Sequence, residues 1–208
     1  MNNIIQWNCP GLKVNFIEIT LLVQAFLPVA FYLQEKHLKK SDTINLNNYS
    51  VYSTYVDEDE RAAGGSTILV QDIILHSYVN LDTDLQAVTV HITFDKTITL
   101  CSIYIPPNSP LGLAQLKNLA TPFIVMGDFN GHNPLWGSKT TSDKGNQEGL
   151  CIFNDGTDTY LHPGNGSYSA VDLTVTDPSL LDFSWKVHDD PAEVIIFPYL
   201  RKLAFYCR

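Results

Sequence analysis

The sequence predicts a layered α/β sandwich in which strands outnumber helices. Three observations point there. Leu85–Phe94 and Thr97–Ile105 are long alternating runs joined by Asp95-Lys96, the pattern of an antiparallel hairpin. Phe123–Met126 is a short apolar run closed by Gly127, the pattern of a buried strand. Between such runs lie helix-length segments, of which Phe16–Phe26 is the clearest.

The elements follow in order. Asn3–Trp7 is expected to be a first strand that delivers Asn8 to its C-terminal end, and Cys9-Pro10-Gly11 a turn. Asn15 is placed to start the helix Phe16–Phe26, and Pro28 to close it. Val29–Leu33 is a second buried strand ending in Gln34-Glu35, and Leu38–Asn48 a polar loop. Tyr49–Tyr55 alternates as a strand, Asp57–Arg61 is a charged loop, and Gly64-Gly65 turns the chain into the strand Thr67–Val70. The hairpin comes next, then a short helix over Leu111–Leu119, the central strand, and a fragmentary helix around Gly145–Phe153. Ser167–Thr176 and Phe183–His188 are the last expected strands.

With 208 residues and 45% hydrophobic content, the chain can bury one substantial core. Its net charge of −9, from 22 acidic and 13 basic residues, is opposite to that of proteins that hold nucleic acid by neutralising phosphates along a basic face. A polyanionic substrate must therefore be held locally, by a metal ion or a small cationic patch. Cys9, Cys101, Cys151 and Cys207 show no C-x-x-C pair and no zinc spacing, which predicts reduced thiols and an intracellular setting. Met1–Asn8 lacks the pattern of a secretory signal. Ile17–Leu33 is interrupted by Glu18, Gln24 and Pro28, so no membrane span is expected.

The chemistry concentrates in Thr121–Gly137, T-P-F-I-V-M-G-D-F-N-G-H-N-P-L-W-G. Asp128, Asn130 and His132 follow the apolar run at every second position, so in an extended stretch they would share one face. Other strands also end in polar residues: Asn8, Glu35 and Tyr104. Sites in sheet proteins are commonly built at strand ends. Singly, each residue has an ordinary structural explanation as a turn former, a solvated charge or a half-buried aromatic.

Six motifs change that balance by their order. They are W-N-C-x-G-L at Trp7–Leu12, L-Q-E-x-H-L at Leu33–Leu38, Y-I-P-P-N at Tyr104–Asn108, G-D-F-N-x-H at Gly127–His132, W-G at Trp136-Gly137 and S-x-x-D-L-T at Ser169–Thr174. Together they resemble the endonuclease/exonuclease/phosphatase superfamily, and most closely the apurinic-like endonuclease domain of non-LTR retrotransposons. The resemblance implies a four-layer α/β/β/α sandwich of two mostly antiparallel sheets flanked by helices, spanning residues 1–190. It implies Mg2+ as cofactor, or Mn2+ in its place, held by Glu35 with Asn8 beside it. It makes Asp128 the residue that positions or deprotonates the attacking water. Asn130 and Tyr104 become phosphate-side donors, Asp172 a supporting carboxylate, and His132 a residue that shapes its loop. DNA is the implied substrate, in the nucleus, with a monomeric domain and a reverse transcriptase elsewhere in the parent element.

The chain departs from the family after its last strand. Where the family has G-S-D-H-F-P, Glu193–Pro198 reads E-V-I-I-F-P, with Ile195 and Ile196 in the places of the Asp and His. The codons GGA AGT GAT CAT TTT CCC, read one nucleotide later, spell Glu-Val-Ile-Ile-Phe-Pro. A single-nucleotide indel between about His188 and Glu193 would account for the change and make residues 191–208 an aberrant tail. Leu116–Pro122 and Gly145–Phe153 are also short against the family pattern. His162 and His188 remain as replacement acids or bases, although exposure alone would suffice to explain each. The expected function is DNA nicking, impaired in this copy. The alternatives are a phosphatase of the same superfamily and a non-catalytic metal- or DNA-binding remnant.

Overall fold

Alternation along the strands sorts side chains onto two faces, and the structure stacks the resulting apolar faces. The computed structural model describes residues 3–55, 64–107, 109, 116, 119–130, 151–154, 156–161, 166–180, 183–185, 187 and 199–200. Four strands, β1 (Ile4–Asn8), β2 (Ala30–Gln34), β3 (Tyr49–Ser53) and β4 (Ser66–Gln71), form a sheet of order β1-β2-β4-β3. Six more, β5 (Leu75–Val79), β6 (Gln86–Thr93), β7 (Thr97–Tyr104), β8 (Phe123–Asp128), β9 (Cys151–Ile152) and β12 (Asp172–Thr176), form a second of order β5-β6-β7-β8-β12-β9. Two short pairs complete the described strands: β10 (Tyr160–Leu161) with β11 (Tyr168–Ser169), and β13 (Phe183–Ser184) with β14 (Tyr199–Leu200). β1–β2 and β7–β8 are parallel, and the other described pairs are antiparallel.

Three apolar clusters bind these layers. Ile4, Ala30, Tyr32, Ile68 and Val70 of the small sheet face Val88, Val90, Ile92, Ile98, Leu100, Ile124 and Met126 of the large one. The outer face of the small sheet packs Ile5, Phe31, Leu33 and Leu69 against Ile19, Leu22 and Val23 of helix α1 (Phe16–Phe26). The outer face of the large sheet packs Cys101, Ile103, Val125 and Leu173 against Leu116, Leu119 and Phe129. Each large apolar side chain so buried contributes about 1.5–3 kcal/mol. The arrangement is an α/β sandwich, as expected. Among the described residues no helix is long and apolar enough to cross a membrane.

Several sequence expectations need correction. Asn15 precedes α1, but its side chain makes no hydrogen bond to a helical N–H; Nδ2 instead donates to the carbonyls of Pro10 and Gly11. The helix ends as foreseen before Pro28, with Leu27 in the left-handed region at φ 45°. β8 continues through Gly127 and Asp128, because Ile103 and Tyr104 of β7 still offer a partner there. Ser167–Thr176 is split into β11 and β12, and Cys151–Ile152 pairs with β12 instead of extending a helix. β5 was not foreseen; it is an edge strand whose Leu75 and Tyr78 are exposed, so it lacks an inward apolar rhythm. The expected loop Asp57–Arg61, nearly all of the helix Leu111–Leu119, residues 145–150 and Glu193–Pro198 lie outside the described residues.

Candidate active site

Sheet register alone brings most of the site together. Tyr104 pairs with Asp128 across β7–β8, and Asp128 with Asp172 across β8–β12. Directly opposed residues project from the same face, so these three form a row aimed between the sheets. Asn8 ends β1 on the facing sheet, beside Gln34 at the end of β2, and Glu35 follows at once.

Hydrogen bonds close the gap between the sheets. Asn8 Nδ2 donates to Asp128 Oδ2 at 2.9 Å and to Glu35 Oε1 at 3.4 Å. Asn130 holds the other side of Asp128: its backbone N–H donates to Oδ1 at 2.8 Å, and its Nδ2 to Oδ2 at 2.8 Å. The second Nδ2 proton goes to the Ile105 carbonyl at 3.1 Å. Asn130 has φ 44°, so the stretch after Asp128 is not extended, as the alternating spacing had implied. Asparagine tolerates that left-handed conformation well, and the turn it makes folds its amide back onto Asp128.

Glu35 sits in the left-handed region too, at φ 50°. For a glutamate this is unfavourable by roughly 1–3 kcal/mol and requires support from its surroundings. The support is visible: Gly11 N–H donates to the Glu35 carbonyl at 2.9 Å, Leu12 N–H to the Lys36 carbonyl at 2.9 Å, and His37 N–H to Gly64 at 3.1 Å. The turn after β1 thus braces the carboxylate at the end of β2.

Burial and neighbouring charge set the protonation of the site. Asp128, 2% exposed, has its carboxyl pushed well above the usual range, chiefly by burial and then by the Asp172 charge opposite. Asp172, also 2% exposed, is pushed up to about 7 by burial, with Glu35 adding to the rise. Hydrogen bonds from Thr159 and Gln6 hold it lower than burial alone would. The Tyr104 hydroxyl is raised by burial, then by Glu35 and Asp128, and is hydrogen-bonded to Glu35, so it remains a donor at physiological pH.

A stability prediction follows from Asp172. Its folded-state value lies above that of an ordinary aspartate near 3.9. Between about pH 4 and about 7 the folded chain therefore keeps a proton that the unfolded chain has lost. Stability from this group falls as pH rises through that window. Asp172→Asn keeps an oxygen to accept from Gln6 while removing the buried charge. In metal-free buffer at pH 8 its melting temperature should exceed the parent's by ~5 °C, about 2 kcal/mol in a domain of this size. The gap should close toward pH 4, and a lower melting temperature at pH 8 would overturn the assignment.

Residues that the sequence did not single out complete the surroundings. Gln34 Nε2 donates to Ser102 Oγ at 2.9 Å, and Ser66 Oγ donates to the same oxygen, forming a polar floor beneath the site. Thr159 Oγ1 accepts from the N–H groups of Val171 and Asp172, and Asn154 bridges Asp172 O and Thr174 N, fixing the start of β12. Gly64 and Gly65, at φ 59° and 81°, pack over Tyr104 and Lys36. A Cβ at Gly64 would lie 2.8 Å from the Tyr104 ring. The legible signal was a polar residue at an inward position of an apolar strand, as at Gln6, Gln34 and Ser102.

The structure thus gathers Asn8, Glu35, Tyr104, Asp128, Asn130 and Asp172 at one end of the sandwich. His132, His162, His188, Ile195 and Ile196 lie outside the described residues. Among the described residues no cluster of three or more His, Cys, Asp or Glu side chains is arranged to hold a metal ion.

Comparison with known proteins agrees with the fold. The family model described as Endonuclease-reverse transcriptase matches residues 98–193. The chain is 23% identical over 189 residues to a probable RNA-directed DNA polymerase from transposon X-element of Drosophila melanogaster, covering 83% of this chain and 21% of that protein. It is 25% identical over 184 residues to the RNA-directed DNA polymerase from mobile element jockey of Drosophila funebris, covering 85% and 20%. The chain therefore spans about a fifth of the length of these curated relatives. Among solved structures, the endonuclease domain of TRAS1, a telomere-specific non-LTR retrotransposon, superposes with a TM-score of 0.77 at 22% identity, covering 95% and 97% of the two chains. An AP endonuclease from Archaeoglobus fulgidus superposes with a TM-score of 0.68 at 13% identity, covering 96% and 99%.

Proposed function

We propose that this chain belongs to the endonuclease/exonuclease/phosphatase superfamily, as the match of residues 98–193 to the Endonuclease-reverse transcriptase model supports, and that its site is built to hydrolyse a DNA phosphodiester with a divalent metal ion, Mg2+ being the natural choice. The observation that carries this reading is the buried Asp128, held from both sides by Asn8 and Asn130 and flanked in register by Tyr104 and Asp172.

The residues fit a hard cation. Glu35 offers a half-buried carboxylate, and Asn8 Oδ1 is buried with no hydrogen-bond partner among the described residues. An orphaned carbonyl oxygen beside a carboxylate is the donor chemistry Mg2+ accepts, and that ion completes its shell with water and substrate phosphate. When bound, the metal supplies positive charge to the scissile phosphate, reversing the local field of a net-negative chain. Asp128 orients the attacking water and takes its proton. Both amide protons of Asn130 are already engaged, to Asp128 and to Ile105, so its amide serves to hold Asp128. Tyr104 keeps its proton and can donate to the phosphate or the leaving oxygen. Asp172, opposite Asp128, sets the charge behind the base.

Glu35→Gln should weaken Mn2+ or Mg2+ binding by ~10-fold or more, because losing a charged ligand exceeds the usual effect of losing an outer partner. Calorimetric titration of the folded protein checks this independently of turnover, and unchanged affinity would place the metal elsewhere. The activity is tested by comparing supercoiled plasmid with phosphoinositide as substrates. Nicking without phosphate release supports the endonuclease reading, phosphate release alone supports a phosphatase, and metal binding without either supports a remnant.

We further propose that this copy is impaired, through Ile195 and Ile196 in place of an Asp–His pair. Neither side chain can move a proton or contact a phosphate, and losing a proton-transfer group lowers rates by ~10²–10⁴-fold. Resequencing the locus tests the frameshift: the other frame must contain Ser-Asp-His codons.

A further inference from the structure

Gln6 lies on β1, two residues before Asn8 and on the same face, with its side chain between the sheets. Its Nε2 donates to Asp172 Oδ1 at 2.8 Å, from one sheet to the other. Both residues are buried, Gln6 at 1% and Asp172 at 2% exposure. The other end of the same amide, Oε1, is buried and has no hydrogen-bond partner among the described residues. Leaving a buried acceptor empty is unfavourable, so a native site that does so invites a functional reason.

The chemistry of the two groups supplies one. A carboxylate only accepts, a carboxylic acid also has an O–H to donate, and a primary amide presents a donor end and an acceptor end that a half-turn exchanges. We propose that Gln6 is the positioning residue of Asp172: Nε2 holds the carboxylate, and with the amide turned over Oε1 accepts from the carboxylic acid, so the carboxyl group keeps one place in either state. The empty Oε1 is then the half of the device that serves the protonated form.

The surroundings give Asp172 cause to visit both forms. Asp128 faces it from β8 and Glu35 from the loop after β2, while Thr159 donates from the segment before β10. Burial and Glu35 raise the carboxyl to about 7, close to physiological pH. A carboxyl that swung away on protonation would alter both room and field at Asp128, directly opposite. Gln6 acts through Asp172 and touches no reacting atom, and the inference stands whether or not this chain cleaves DNA.

The test is an NMR titration of the intact chain in metal-free buffer. The Gln6 side-chain NH2 signals and the Asp172 Cγ signal are followed from pH 5 to 9, each assigned by its loss in Gln6→Met and Asp172→Asn. The two signals should move with one midpoint, and the Gln6 NH2 signals should stop titrating in Asp172→Asn. In Gln6→Met, which keeps side-chain length, the Asp172 midpoint should move by less than about one pH unit, because a hydrogen bond to each protonation state is lost together. A Gln6 fixed as a donor in both states would instead let the Asp172 midpoint rise by about one pH unit or more in Gln6→Met, and that rise would overturn the proposal. Gln6 NH2 signals that stay fixed while Asp172 titrates would overturn the proposal, and this measurement on the parent chain decides even if Gln6→Met does not fold.

Discussion

Replacing Gly127 by alanine is expected to cost about 4 kcal/mol or more, a large fraction of the stability of any single domain. An added Cβ would lie 1.8 Å from the Ile103 carbonyl oxygen and 2.8 Å from its carbon. These are backbone atoms of the neighbouring strand, so no side-chain rotation relieves the clash. The strands β7 and β8 would have to separate where they pair in parallel at Ile103–Gly127 and Tyr104–Asp128. Glycine at this position is thus explained by close approach of two backbones and not by an unusual φ. The same displacement would carry Asp128 away from Asn8 and Asn130. Urea denaturation should show a fall in midpoint with little change in slope, and a midpoint within about 0.5 M of the parent's would show that the two strands can yield.

The second large effect concerns Asp128 itself. In a protein restored by Glu193→Gly, Val194→Ser, Ile195→Asp and Ile196→His, Asp128→Asn should lower plasmid nicking by ~10²–10⁴-fold. Asparagine keeps the shape and an oxygen to accept from the Asn8 and Asn130 side-chain amides, but it gives up the bond from the Asn130 N–H and cannot take a proton. Its effect on stability should have the opposite sign. Burial and the Asp172 charge hold the Asp128 carboxyl well above its ordinary range. Removing that ionisable group should therefore raise the melting temperature at pH 8. Lost activity with gained stability marks a group kept for its chemistry. Lost activity with lost stability would instead mark Asp128 as a structural hydrogen-bond centre.

The parts of the site that could be read in the sequence were those that interrupt a pattern. Asn8, Glu35 and Asp128 each follow an apolar run, and strand ends are where sheet proteins build sites. Their assembly follows from register: once β7, β8 and β12 align, Tyr104, Asp128 and Asp172 must share a row. Asn130 was legible as a residue but not as a conformation, since spacing by two implies an extended chain and its φ is 44°. Gln6, Ser66, Ser102 and Thr159 were not singled out at all, and Gln34 only as a strand end. A polar residue inside a strand reads as ordinary alternation until the facing sheet is known, and only then does Gln6 prove to be buried against Asp172. β5 escaped for the converse reason, since an edge strand with both faces partly solvated carries no strong period.

The proposed phosphodiesterase site, centred on Asp128 and silenced through Ile195 and Ile196, is open to a direct test. Supercoiled plasmid nicking with Mg2+ tests it on three proteins side by side: the chain as it stands, the four-residue restoration, and the restoration with Asp128→Asn. Only the restored protein should convert plasmid to the nicked circle. Nicking by the chain as it stands, together with undiminished nicking by the Asp128→Asn protein, would contradict it and place the chemistry on another group.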